Sequence, residues 1–343
     1  MKTCQTNCYN MNKIWILKLN RQIAVILVIL IFTNACEKVA EDLKDPASAD
    51  TWTIYNTTTG LPGNQVRGIK QDSKNNMWFA ISSYGAAKYS NKTWTYYNTS
   101  NSGILSNDIT CVEEDRTGNI LFGTTNGIAI LSPDYTWSYF QDQNVTITVN
   151  VIKAVSDGNV WAGTHGQGFL VSDGSTINQY YSDEFQNVND IEEDAKGNIW
   201  IGTDNGLIKW DGNNYSFFSM TNGLPDNDVT ALFYDSQKRL WIGTNGGNTV
   251  SWIDDEGIIH QLSFINGNLG CYVRDIFEDR KGGIWFATWF DGLIQYDGVI
   301  PHSYKEYNGF PENDINSIGE DNDGNIWFGL YSKGLVKYTL PID

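Results

Sequence analysis

The chain has 343 residues, 41% of them hydrophobic and 13% aromatic, with 33 glycines, a composition that can bury a large core and suits an all-β protein rich in tight turns. Its formal net charge of -17 excludes nucleic acid as a partner class, because such binding rests on Lys and Arg neutralising phosphates. The same charge disfavours direct adhesion to an anionic lipid surface, and the acidic residues, spread along the chain without forming a run, read as a solvated surface.

The N-terminal segment differs in kind from the rest. Lys13, Lys18 and Arg21 precede an unbroken apolar stretch from Ile23 to Phe32, and Thr33-Asn34-Ala35-Cys36 follows. Ten apolar residues are too few to span a bilayer and fit the core of a secretory signal peptide. The small residue before Cys36 resembles a bacterial lipobox, with Thr33 at the position where such motifs favour Leu. Residues 1–35 are thus expected to be a lipoprotein-type signal peptide and Cys36 the lipidated N-terminus, with cleavage by the ordinary signal peptidase as the alternative. Met11 is an alternative start, since the polar residues before it, including Cys4 and Cys8, do not suit a signal peptide. Residues 36–50 are polar and lack aromatics, which reads as a flexible tether. The remaining cysteines, Cys111 and Cys271, show neither a disulfide framework nor metal spacing and are read as small buried side chains.

From residue 51 onward one phrase returns seven times, in its cleanest form Asp194-Ala195-Lys196-Gly197-Asn198-Ile199-Trp200-Ile201-Gly202-Thr203. Its anchors are Trp78, Leu121, Trp161, Trp200, Trp241, Trp285 and Trp327, spaced 39 to 44 residues apart. That period is one four-stranded blade per repeat, so residues 51–343 are predicted to form an all-β, seven-bladed β-propeller.

Each repeat supplies its strands in a fixed order. Twelve residues before the anchor stand Val66, Ile109, Val149, Val188, Val229, Val273 and Ile315, which open a first strand lining the central channel. Asp-x-x-Gly turns such as Asp115 to Gly118 and Asp194 to Gly197 end it, with Asp capping the turn. In the third repeat Asp157-Gly158 predicts a shortened hairpin turn. Asp321-Asn322-Asp323-Gly324 has a passing likeness to a calcium loop but lacks the downstream Glu, so it reads as one more turn, and neither metal nor cofactor is expected. The second strand is apolar on both faces, as befits a blade packed between two others. Two residues beyond each anchor only Gly or Ala occurs, namely Ala80, Gly123, Gly163, Gly202, Gly243, Ala287 and Gly329, small enough to let the neighbouring blade approach. A third strand and an aromatic outer strand such as Trp94 to Tyr97 complete the unit.

The chain enters with an outer-strand sequence, Thr51 to Tyr55, and ends after a third strand at Tyr338. The N-terminal strand is therefore predicted to complete the last blade, closing the ring and removing an open edge.

The composite of Gly223-Leu224-Pro225-Asp226-Asn227-Asp228-Val229 with Trp241, Gly243 and Thr244 resembles the two-component regulator propeller repeat, and the resemblance covers about residues 51 to 340. In that family, pairs of such propellers commonly form the periplasmic sensor region of hybrid histidine kinases responding to polysaccharides or their fragments. This chain is similar to the sensor module alone. The resemblance implies ligand recognition at the cell envelope, and the lipobox-like Cys36 adds a lipid anchor, with secretion in soluble form as the alternative.

In propellers the loops joining strands two to three and four to one share one face around the channel mouth, and here the first of these loops varies most between repeats. Tyr84, Trp289, Phe290 and Tyr331 would bring flat apolar faces to that mouth, and His165, Asp204, Asp291 and Lys333 polar groups. Rings beside hydrogen-bonding side chains suit a poly- or oligosaccharide, with its apolar C–H faces and hydroxyl edges. The alternative for each ring is packing on the next blade. His165, His260 and His302 fall in different repeats with no repeated partner, and no hydrolase, zincin or phosphate-loop motif appears. A non-catalytic, sensor-like binding protein is the leading expectation. A scaffold holding a membrane or periplasmic protein comes second, and a lyase or hydrolase last.

Overall fold

The structure, a computed structural model, describes residues 52–140, 146–246, 250–262, 272–299 and 301–339. The expected signal peptide, Met11, Cys36, the tether and Cys271 lie outside these residues. Each sequence period folds into one four-stranded antiparallel sheet, and there are seven. Numbered as blades 1 to 7 in chain order, their inner strands are Val66–Gln71, Ile109–Glu114, Val149–Ala154, Val188–Glu193, Val229–Tyr234, Tyr272–Glu278 and Ile315–Glu320. Each inner strand packs on the next and the seventh packs on the first, so the ring is closed. Apart from the strands, the described residues hold two single-turn 3-10 helices, Met220–Asn222 and Glu306–Asn308.

Closure follows the sequence expectation. Trp52–Tyr55 pairs antiparallel with Leu335–Tyr338, placing Trp52 opposite Tyr338 and Tyr55 opposite Leu335. Aromatic contacts hold the seam, with Trp52 stacked on Tyr338 at 4.4 Å and edge-on to Phe310 at 5.2 Å. Such pairs contribute roughly 0.5–1.5 kcal/mol each beyond burial.

The second strands, such as Met77–Ile81 and Ile199–Thr203, are buried along their whole length, because each blade is covered on both faces. The small residue beyond the anchor is what permits this. A Cβ on Gly202 would lie 2.8 Å from Val229 Cγ1, and one on Gly243 would lie 2.6 Å from Val273 Cγ1. In both cases the obstacle is the valine that stands twelve residues before the anchor of the next blade. Real Cβ atoms do not approach that closely, so the column of small residues sets the blade spacing.

The turns after the inner strands form one face of the ring, here called the base. Their Asp does more than cap. Asp72 Oδ1 accepts from the backbone of Lys74 and Asn76, while Oδ2 accepts from the Trp78 indole at 2.8 Å. The same tie joins Asp194 to Trp200, Asp235 to Trp241, Asp279 to Trp285 and Asp321 to Trp327. The Asp321 turn is thus structural, its carboxylate occupied by Asp323 N, Asn325 and Trp327. Blade 3 corrects the expectation of a shortened turn. Val155 N donates to Asn159 O as Asp72 N donates to Asn76 O, so the turn keeps its length and Val155 simply replaces the Asp. Without that acceptor, Trp161 stacks on Phe169 at 5.3 Å instead.

Adjacent blades are also stapled at the base. The Glu114 carboxylate accepts from Ser73 N and Oγ of the preceding blade at 2.7 and 2.6 Å. Glu278 does the same for Ser236, Glu193 for Ser156, and Glu320 for Arg280.

Candidate functional site

The opposite face carries the variable loops. His165 N donates to Thr148 O at 2.9 Å, Asn245 N to Asp228 O at 2.9 Å and Tyr331 N to Asp314 O at 3.0 Å. Each bond ties a loop between strands two and three to the loop that enters its blade. Both loop classes therefore share one face, here called the mouth.

The sequence-nominated residues take distinct positions on that face. Tyr84 is 52% exposed and leans over Gly63, where a Cβ would lie 2.3 Å from its ring. His165 and Asp204 are exposed on blades 3 and 4, and Asp204 accepts from Asn187 Nδ2 at 2.6 Å. Asp291 is half-buried and accepts from Lys305 Nζ at 2.8 Å. Lys333 is exposed, its backbone N held by Glu312 at 3.1 Å.

Three of the nominated residues come together, at blades 6 and 7. Trp289, half-buried, meets Phe290 at 5.9 Å and Tyr331 at 5.7 Å, both edge-on. Phe290 is 67% exposed and sits at φ 75, with its backbone N donating to Asp314 Oδ1 at 2.8 Å. A left-handed aromatic residue is strained backbone, a state that persists only where its surroundings impose it. The Trp289 indole N–H is buried and has no partner among the described residues. Tyr84, His165 and Asp204 stand on other blades, apart from this cluster.

Two members escaped the sequence reading, Tyr272 and Arg274. Tyr272 lies opposite Trp289 in the blade 6 sheet, their rings 5.5 Å apart. The Arg274 guanidinium lies 4.7 Å from the Trp289 ring and 5.6 Å from that of Tyr272. The sequence does carry a signal for Arg274. Its column, the second inner-strand residue counted from Val66, elsewhere holds Arg67, Thr110, Asn150, Asn189, Thr230 and Asn316. Five of these donate to the first-residue carbonyl of the next blade, as Asn189 does to Val229 O at 2.9 Å and Thr230 to Val273 O at 2.5 Å. Arg67 departs from this pattern and pairs with Asp108 at 3.1 Å.

Deeper in the channel stand two carboxylates. Asp190 accepts from Leu232 N of the next blade at 2.7 Å, and Asp275 from Ile318 N at 2.7 Å. Both residues are half-buried as wholes, yet desolvation dominates, pushing Asp190 up to about 8 and Asp275 up to about 7. Asp190 also feels the Asp275 charge. The level below is filled by the pairs Lys70–Glu113 at 2.5 Å and Lys153–Glu192 at 2.7 Å, with Phe233 beside Phe277 at 6.0 Å.

The other histidines lie on outer strands. His260 Nε2 is 2.6 Å from Asp254 Oδ2, and His302 Nε2 is 3.7 Å from Asp297 Oδ2. Among the described residues no group of three His, Cys, Asp or Glu side chains is placed to hold a metal ion, and no helix is long and apolar enough to cross a membrane.

Comparison with known proteins gives a consistent picture of the fold. An extracellular domain from B. thetaiotaomicron, assigned to a hybrid two component system, superposes with a TM-score of 0.71 at 21% identity, covering 84% of this chain and 42% of that one. The virginiamycin B lyase of Staphylococcus aureus superposes with a TM-score of 0.70 at 16% identity, covering 84% of this chain and 99% of the lyase. At these identities the likeness is one of fold. A histidine kinase of Formosa agariphila is 28% identical over 139 residues, 37% of this chain and 10% of the kinase. The chain thus spans less than half the length of either sensor relative. Six segments, 60–82, 103–126, 183–205, 223–246, 268–290 and 309–332, match the two component regulator propeller model. Blade 3, where Val155 replaces the turn Asp, falls between the second and third of them. By its six matched repeats and its seven-bladed ring, the chain belongs to the two component regulator propeller family.

Proposed function

We propose that this propeller is a non-catalytic recognition module of the bacterial cell envelope that binds a poly- or oligosaccharide at its mouth. The observation that carries the reading is the cluster of Trp289, Phe290 and Tyr331, with Phe290 67% exposed, Tyr331 44% exposed and the Trp289 indole N–H unpartnered. Exposed rings, that of Phe290 on strained backbone, beside polar side chains such as Asp291 and Lys333, suit a ligand with apolar faces and hydroxyl edges. A lipid anchor at Cys36 would hold the module at a membrane.

Neighbours assigned to extracellular sensing support the location and the recognition role. The lyase neighbours make catalysis the rival reading. Against it stands the placement of His260 and His302 on outer strands, which leaves His165 as the only histidine at the mouth among the described residues. The second rival, a scaffold for a membrane or periplasmic protein, would use the same exposed rings.

The test is an array of poly- and oligosaccharides probed with the purified protein and with its Trp289→Ala and Tyr331→Ala variants. The expected outcome is retention of at least one glycan, weakened at least about tenfold in each variant, as befits loss of a ring contact. Retention unchanged by both substitutions would remove the mouth as the site, and conversion of a bound glycan would turn the reading toward the lyase.

A further inference from the structure

In five blades the second inner-strand residue is a short amide or hydroxyl engaged with the next blade's carbonyl. Arg67 and Arg274 hold that place in blades 1 and 6, on either side of blade 7. Arg67 has Asp108 as its counter-ion. Arg274 has no carboxylate partner among the described residues; its neighbours are the ring of Trp289 and the ring and hydroxyl of Tyr272, in a chain that carries 40 acidic side chains. Burial lowers its pKa from the ordinary arginine value, and the charge of Arg67 acts in the same direction. A desolvated cation facing a second cation without a counter-ion is unfavourable, and an arriving anion would relieve it. The indole N–H of Trp289, whose ring lies against Arg274, is buried and unpartnered among the described residues, as is Asn316 Oδ1 in the same column of the adjacent blade.

We propose that the saccharide taken at this mouth bears an acidic group, a uronate carboxylate or a sulfate ester, and that Arg274 is the residue that selects for it. The proposal rests on the saccharide reading above and narrows it. A guanidinium stacked on an indole is oriented, and its edge presents paired N–H donors to a carboxylate or sulfate. The exposed rings of Tyr331 and Phe290 then cover a C–H face. A chain of net charge -17 repels an acidic polymer at long range, so selection for one requires a local cation.

The experiment titrates the purified protein calorimetrically with matched pairs. These are pectate and its methyl ester, alginate and its propylene glycol ester, chondroitin sulfate and chondroitin, and dextran sulfate and dextran. The expected result is an acidic member bound at least about tenfold more tightly than its neutral twin, and which pairs respond separates carboxylate from sulfate. Arg274→Gln should erase that difference, while Arg274→Lys, which keeps the charge but loses the fork, should retain part of it. The wild-type comparison needs no variant, so it holds even if a substitution prevents folding. A neutral twin bound as tightly as its acid would overturn the acidic selection and leave the saccharide reading intact. Absence of binding to every member would end both, and an acid preference that persists in Arg274→Gln would remove Arg274 from the role.

Discussion

The base and the mouth of the ring are made from the same seven-fold repeat, yet the loops of the mouth vary more in residue type from blade to blade than the turns of the base. At the base, Asp–indole ties in blades 1, 4, 5, 6 and 7 and a series of Glu staples satisfy nearly identical groups. At the mouth the loops diverge, an indole N–H and an amide oxygen lie buried without partners, and a phenylalanine sits at φ 75. Regular satisfaction of polar groups is how a repeat secures stability. Departures from it occur elsewhere too, at Trp52, Ser251 and Ser317, but among the described residues only at Trp289 and Phe290 do an unpartnered donor and a left-handed aromatic residue stand side by side.

The largest effect is expected where the comparison is rooted, in the blade spacing that both faces share. A Cβ on Gly163 would lie 2.4 Å from Val188 Cγ1 of the next blade and 2.7 Å from Val151 Cγ1 of its own inner strand. Gly163→Val adds two further methyl groups to that clash. Overpacking of this kind should destabilise the domain by about 3 kcal/mol or more, read as a fall in the urea or thermal midpoint. An unchanged midpoint would mean that blades slide apart cheaply and that the small-residue column does not set the spacing.

A middle-sized effect separates two blades at the base. Asp235 is buried and accepts from Gln237 N, Arg239 N, Arg239 Nε and Trp241 Nε1. Asp115 in blade 2 accepts from Thr117 and Asn119 but has no indole to hold, since Leu121 replaces the Trp. Asp235→Ala leaves a fully buried indole N–H and a guanidinium unpaired, and should cost about 3 kcal/mol. Asp115→Ala should cost about 1 kcal/mol, the loss of a turn cap alone. Equal costs in denaturant unfolding would show that the indole tie adds nothing to the turn.

The same contrast explains what the sequence made legible. Blade number, strand order, ring closure by residues 52–55 and the small-residue column are each written as a residue type at a fixed offset from the anchor, so they survive averaging over repeats. The Asp–Trp tie was also present at a constant offset of six, as in Asp72 and Trp78. It was missed because the Asp already had a role as a turn cap. The length of the blade 3 turn was misjudged for a related reason, since Val155 in the Asp position hid the start of the turn. Arg274 was invisible to consensus reasoning, because its meaning lies in differing from Thr and Asn in its column. That Trp289 meets Tyr331, while Tyr84 and His165 stand elsewhere, depends on ring geometry that no single repeat contains.

The smallest expected effect is the sharpest test of the division between the two faces. Trp241 is the anchor of blade 5, and Trp289 ends the second strand of blade 6, Ile284–Trp289, at the mouth; the first gives its indole N–H to Asp235 at 2.8 Å, and the second has no partner among the described residues. Replacing Trp241 by Phe removes the donor and leaves a buried carboxylate short of one partner, so Trp241→Phe should lower stability by roughly 2 kcal/mol. Replacing Trp289 by Phe keeps a ring beside Arg274 and Tyr331 while removing a donor that was already unsatisfied. Its stability should stay within about 0.5 kcal/mol of the parent, because the lost packing is offset by relief of the orphaned N–H. Glycan retention should nevertheless weaken, since a smaller ring supports Arg274 and Tyr331 less firmly. If Trp289→Phe destabilised the ring as much as Trp241→Phe, the mouth indole would be a structural member like the others, and the contrast between the two faces would lose its physical basis.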